Sequence, residues 1–103
     1  MPKGGIHSTW HRKEGGWEYW TFPFSPTVLV AERKTDWYDL DRFRYIKYLL
    51  NKEGVQFFWN EPTDEQKHKK HSGAIELYKK FPKNVSFQDK MRDIQNIIKR
   101  YGL

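Results

Sequence analysis

The sequence predicts a single α+β domain in which an N-terminal three-stranded antiparallel meander is followed by a helix, a fourth strand and C-terminal helices packed on the sheet. Three observations carry this expectation. Two aromatic runs, residues 9–13 and 17–22, flank Glu14, Gly15 and Gly16, the pattern of a β-hairpin whose glycines supply positive φ. Val28, Leu29, Val30 and Ala31 form an apolar, strand-forming run. Leu40, Phe43, Ile46 and Leu50 recur at the spacing of one helix face.

The remaining elements follow from local signals. Residues 1–8, with Pro2, Gly4 and Gly5, favour no regular element and read as a flexible arm, which leaves 9–103 as the domain. Two hairpin registers are open: a two-residue Gly15-Gly16 turn sets Arg12 opposite Tyr19, and a three-residue loop sets Trp10 opposite Trp20. A turn at 23–26 leads into a strand at 27–34. Thr35 or Asp36 is placed to cap a helix running to about Lys52, with Gly54 at its stop. Residues 55–60 read as a strand buried on the Val55, Phe57 and Trp59 side and ended by Glu61 and Pro62. Thr63 offers the cap of a second helix through Lys80, interrupted at Ser72 and Gly73. Ser86 with Asp89 makes a capping-box-like start to the last helix, whose stripe of Phe87, Met91, Ile94, Ile98 and Tyr101 ends at Gly102.

Composition narrows the function classes. A chain of 103 residues suits one core, and with 37% hydrophobic but 17% aromatic residues that core must be built from large rings. The absence of cysteine excludes disulfides, thiolate metal sites and a cysteine nucleophile. No apolar run approaches the roughly 18 residues of a membrane span, and the opening residues lack a signal-peptide stretch, so no membrane association and an intracellular, cytoplasmic location are expected. The net charge is +6, and residues 63–103 supply most of it, with ten Lys or Arg against five Asp or Glu. Such an excess favours phosphate polyanions through long-range attraction and counterion release, so nucleic acid, DNA or RNA, is the expected partner. No Ser-His-Asp order, Gly-rich phosphate loop, zinc spacing or heptad pattern is present.

Residues two apart on a strand share a side, so Glu32 and Lys34 lie on the side occupied by Val28 and Val30. A carboxylate beside an ammonium suits phosphodiester hydrolysis: the carboxylate ligates Mg²⁺ and the lysine stabilises developing charge. Glu18, on the preceding strand, offers a second carboxylate, and whether it faces Glu32 depends on register. In order, a strand with an acid, a strand ending in Glu-x-Lys, a helix, then a Gly and a short strand resemble the core of PD-(D/E)XK nucleases, and in particular the small virus-type replication-repair nuclease domains. The resemblance covers roughly residues 15–60. It implies Glu18 and Glu32 as metal ligands with the main-chain carbonyl of Arg33, Lys34 as the catalytic lysine, and Mg²⁺ as cofactor. The pattern departs at Trp17-Glu18, where the family has Pro-Asp, and the family's N-terminal helix and helical glutamine have no counterpart.

Other residues are candidates for binding. Arg12, Lys13, Trp17 and Tyr19 of the hairpin offer cations and base-stacking rings, although at least half of the hairpin rings are needed for a core. Trp37, Asp41, Arg44 and Tyr48 form a second stripe on the first helix, opposite Ile46. Arg92, Lys99 and Arg100 lie on the polar side of the last helix. His68 and His71 have metal-ligand spacing on a helix, but Lys67, Lys69 and Lys70 repel a cation and mark the segment as a basic face for phosphate. The expected function is therefore that of a small nucleic-acid-acting protein, a metal-dependent nuclease or a catalytically degenerate relative. The alternative is a non-enzymatic inhibitor or adaptor that binds a protein through the same rings and cations, since Trp, Tyr and Arg dominate interface hot spots.

Overall fold

Gly15 and Gly16, at φ of 59° and 83°, reverse the chain between β1 (Thr9–Glu14) and β2 (Trp17–Phe22). The computed structural model describes residues 9–22, 25–35, 39–59, 63–65 and 73–103. The arm at 1–8, His68, His71, Trp37 and the lysines at 67, 69 and 70 lie outside the described residues. β3 (Ser25–Thr35), α1 (Leu40–Lys52), β4 (Val55–Trp59), β5 (Gly73–Lys80) and α2 (Phe87–Tyr101) complete the fold. The sheet has the order β1-β2-β3-β5-β4, and every neighbouring pair is antiparallel.

The meander, the helix after it, the fourth strand and the C-terminal helix packed on the sheet are as expected. One segment is not. Residues 73–80, assigned by sequence to a second helix, form β5, the strand between β3 and β4. Ile75 and Leu77 are buried while Glu76 and Tyr78 are only partly so, which is the two-residue alternation of a strand. A single helix, α2, therefore follows the sheet among the described residues. The cap of α1 also moves: Asp39, not Thr35 or Asp36, accepts the Arg42 N–H at 3.1 Å, and Thr35 ends β3 by pairing with Gly73.

Both hairpin registers occur. Trp10 is opposite Trp20 and Arg12 is opposite Tyr19, because the register shifts between Trp10 and Arg12. The extra residue, His11, stacks on Phe87 of α2 with ring centroids 4.2 Å apart and shares a hydrogen bond with Thr21 Oγ1 at 2.6 Å. Burial first, and then the charge of Lys90, hold its imidazole below the usual histidine range.

Both helices pack on one sheet face. Phe43, Ile46 and Leu50 of α1 and Met91, Ile94 and Ile97 of α2 join Trp17, Tyr19, Leu29, Ala31, Val55, Phe57, Ile75 and Leu77 in one core. Ile97, rather than Ile98 of the expected stripe, is the fully buried position of the last turn. The opposite face carries a smaller cluster, Trp20, Val28 and Val30 beside Phe22 and Tyr78. The indole N–H groups of Trp17 and Trp20 are buried without an acceptor, each at a cost of about 1–3 kcal/mol. Burial of that many rings outweighs it, at about 25 cal/mol per Å² of apolar surface.

A polar clamp ties the ends of the helices together. Arg42 Nη2 donates to the carbonyls of Tyr101 at 2.6 Å and Gly102 at 3.1 Å, and Glu53 accepts from Arg100 at 2.6 Å and from the Tyr101 hydroxyl at 2.5 Å. Gly102 ends α2 at φ 66°, and a Cβ there would lie 2.6 Å from Arg42 Nη2; Gly54, at φ 77°, has open space around it. Left-handed backbone costs a non-glycine residue about 1–2 kcal/mol at either site. Gly102→Ala is therefore expected to lose about 1 kcal/mol more than Gly54→Ala in urea unfolding, because it also displaces the charged Arg42 donor. Equal losses would show that the Arg42 clamp contributes nothing.

The Tyr101 hydroxyl above all, then Arg100, holds the Glu53 carboxyl below the usual range despite opposing desolvation. Its contribution is complete above the ordinary carboxyl value near 4.5 and is lost as pH falls through the lowered value. Glu53→Gln should therefore weaken the fold at neutral pH and flatten the decline of melting temperature between pH 5 and pH 3, ranges set by about one unit on either side of carboxyl titration.

Candidate functional site

Strand alternation places Trp17 and Tyr19 under the helices and turns Glu18 to the opposite face of the sheet. There the register forms a single row across the strands. Lys13 is opposite Glu18, Glu18 is opposite Glu32, Glu32 is opposite Glu76, and Glu76 is opposite Phe58. Side chains directly opposite one another have Cβ atoms about 4.5–5.5 Å apart, and like charges so placed repel. Three carboxylates thus occupy adjacent positions on β2, β3 and β5. Glu32 is half-buried with Oε2 fully enclosed, and the Tyr78 hydroxyl donates to Glu76 Oε1 at 3.4 Å. Lys34 is exposed, two residues along β3 and opposite Ala74.

The structure therefore brings Glu18, Glu32 and Lys34 to one face. Carboxylate oxygens are the donors that Mg²⁺ takes, and one or two suffice because the ion keeps several waters. Glu18 and Glu32 are such donors, set on neighbouring strands at directly paired positions. Among the described residues no group of three or more His, Asp or Glu side chains is arranged to hold a metal ion, so Glu76 is a neighbour of the pair and not a third ligand. Sequence reading missed Glu76 because a helix was assigned there; its signal was the alternation of Ala74, Glu76, Tyr78 and Lys80 with Ile75 and Leu77.

The binding candidates, with the exposed rings and lysines near them, divide into five groups. Trp17 and Tyr19 are 3% and 1% exposed, which removes them as stacking platforms: they face α2, where burial pushes the Tyr19 phenol up against the opposing effect of its hydrogen bond with Gln95. Trp10 and Phe58, 46% and 49% exposed, are the accessible rings at the two edges of the sheet. Arg12, Arg92 and Arg100 are paired with Glu14, Asp89 and Glu53 at 3.1, 3.2 and 2.6 Å in solvent-exposed ion pairs, so each cation has an acidic neighbour at the surface. Among the described residues, Lys13, Lys34, Lys80 and Lys99 have no carboxylate within 4.0 Å. Arg44 is exposed on α1 beside Lys47 and Tyr48, where it lines a groove against β4.

Lys13, Lys34 and Lys80 share the face of the carboxylate row, with Lys80 opposite Val28 at its far end. The row is thus flanked by Lys13 at its β1 end and by Lys34 two residues along β3, while Lys80 lies beyond the Trp20, Val28 and Val30 cluster. No protein-family model, curated protein or solved structure matches the chain. No helix among the described residues is long and apolar enough to cross a membrane.

If the carboxylate pair takes a divalent cation, Mg²⁺ should raise the melting temperature of the native protein and not that of Glu18→Gln, since a ligand bound only to the folded state stabilises it. Without metal, Glu18→Gln should change stability by less than about 1 kcal/mol, because relief of repulsion from Glu32 is offset by lost attraction to Lys13 on the other side. An identical Mg²⁺ response in both proteins would place the cation elsewhere.

Proposed function

We propose that this is a nucleic-acid-acting protein that engages the phosphodiester backbone on the sheet face opposite the helices, as a metal-dependent nuclease or a catalytically degenerate relative. One observation carries the reading: the direct pairing of Glu18 with Glu32, with Lys13 opposite Glu18 and Lys34 two residues along β3, on the sheet face away from the helices. Carboxylates alone repel phosphate, and lysines alone need no carboxylates. A face holding both suits a phosphodiester held partly through a divalent cation.

Glu18 and Glu32 would hold Mg²⁺, with the main-chain carbonyl of Arg33 suggested by the resemblance to PD-(D/E)XK nucleases. When bound, the ion polarises a phosphate oxygen and lowers the pKa of a coordinated water. Lys34 contributes positive charge to the phosphoryl oxygens as negative charge develops there. Lys13 and Lys80 attract the flanking backbone, and Trp10 offers a ring on which an unpaired base stacks, at about 1–3 kcal/mol per base.

The reading is tested with labelled single- and double-stranded DNA and RNA in Mg²⁺ or Mn²⁺. Cleavage that disappears in Glu32→Ala and Lys34→Ala while binding persists supports the nuclease form. Salt-sensitive binding without cleavage, with log affinity falling by about 0.9 per contacted phosphate per unit of log salt on duplex DNA, supports the degenerate form. Failure to bind any oligonucleotide at low ionic strength overturns both.

A further inference from the structure

β4 is the last strand of the sheet among the described residues, pairing with β5 on one side only. On its other side lies a groove of about 400 Å³, bounded by Arg44, Lys47, Tyr48 and Asn51 of α1 and floored by β4 itself. An edge strand presents a row of main-chain N–H and C=O groups directed away from its neighbour. Tyr48 and Phe58, 57% and 49% exposed, present ring surface beside this open edge. Lys52 lies over the Tyr48 ring at 4.4 Å, and among the described residues neither Lys47 nor Lys52 makes an ion pair.

We infer that this groove is a docking site for an extended acidic peptide, which adds to the sheet as a sixth strand beside β4. Main-chain hydrogen bonds supply the register, and pockets on alternate sides supply selectivity. Side chains directed toward α1 meet Arg44, Lys47 and Lys52 and are carboxylates; those between them meet Phe58 and are apolar. The five residues of β4 extend about 17 Å, so five to seven peptide residues fill the site. The charge decides between occupants. A second copy of the chain would bring its own Arg44, Lys47 and Lys52 against the same cations, on a molecule of net charge +6. A nucleic-acid strand satisfies the cations but has no alternating amide and carbonyl ladder to pair with the edge.

This site shares Phe58 with the face proposed to engage nucleic acid but none of its carboxylates or lysines, which lie on β1, β2, β3 and β5, so the two can fail separately. The probe is a synthetic heptapeptide of alternating glutamate and valine, titrated into the ¹⁵N-labelled full chain. Shifts and exchange protection should fall on the amides of β4, and Lys47→Glu, an exposed change tested after its melting temperature is shown to match the native value, should weaken binding about tenfold. Two further peptides carry N-methyl groups on one or the other alternate set of amides: one should lose binding and its counterpart retain it. The inference is overturned if both methylated peptides bind like the parent, if the shifts lie away from β4, if the free protein self-associates with those same shifts, or if an oligonucleotide produces them in place of the peptide.

Discussion

Two helices against a single face of a five-stranded antiparallel sheet sort every side chain of the strands, because successive residues must point to opposite faces. Trp17, Tyr19, Leu29, Ala31, Ile75 and Leu77 are committed to the core by that geometry, and the residues between them are committed to the other face. Glu18, Glu32 and Glu76 are brought into one row for the same reason that their neighbours are buried. A slip of one residue in β2 or β3 would place a carboxylate under the helices, so the core enforces the alignment of the surface row.

The stability of this arrangement rests on rings and on a few polar ties. Phe43 packs edge-on against Phe57 and Trp59, at centroid distances of 5.8 and 4.9 Å, which binds α1 to β4. α2 is held by its apolar stripe, by the clamp from Arg42 and Glu53, and by buried Lys90, which donates to the carbonyl of Pro26. Burial holds that ammonium below the usual lysine range. His11 and Lys90 sit near one another at the start of α2, so the hairpin and the helix are joined through groups that disfavour additional charge.

The distribution of cations, more than their number, shapes the surface. Most arginines are engaged by neighbours: Arg12, Arg92 and Arg100 in exposed ion pairs, Arg33 over the Trp17 ring at 5.0 Å, and Arg42 at the end of α2. The planar, multiply donating guanidinium suits such fixed contacts. Among the described residues, lysines 13, 34, 47, 52, 80 and 99 form no ion pair, and they project the basic character outward. They are divided between the face of the carboxylate row, the α1–β4 groove and the end of α2, and those first two surfaces differ in what accompanies the charge. One offers carboxylates, and the other offers an open strand edge.

Local signals in the sequence determined the elements whose ends and faces are marked by their own residues. Gly15 and Gly16 specify the hairpin, Ser86 accepts from the Asp89 N–H and Gly102 adopts the left-handed stop of α2, as their positions imply. Shared sidedness of Glu32 and Lys34 was likewise legible, since a two-residue period requires nothing beyond the strand itself. Only the tertiary structure decided what depends on partners. β5 became a strand because β3 and β4 leave a place between them whose ladder bonds it completes, against the weak local preference for a helix. The shift at His11 admitted both hairpin registers, and the pairing across β2, β3 and β5 set Glu18 and Glu76 on either side of Glu32. The side of the sheet chosen by the two helices then hid Trp17 and Tyr19 and left Trp10 and Phe58 accessible, a choice made by packing between distant segments that no local pattern of residues encodes.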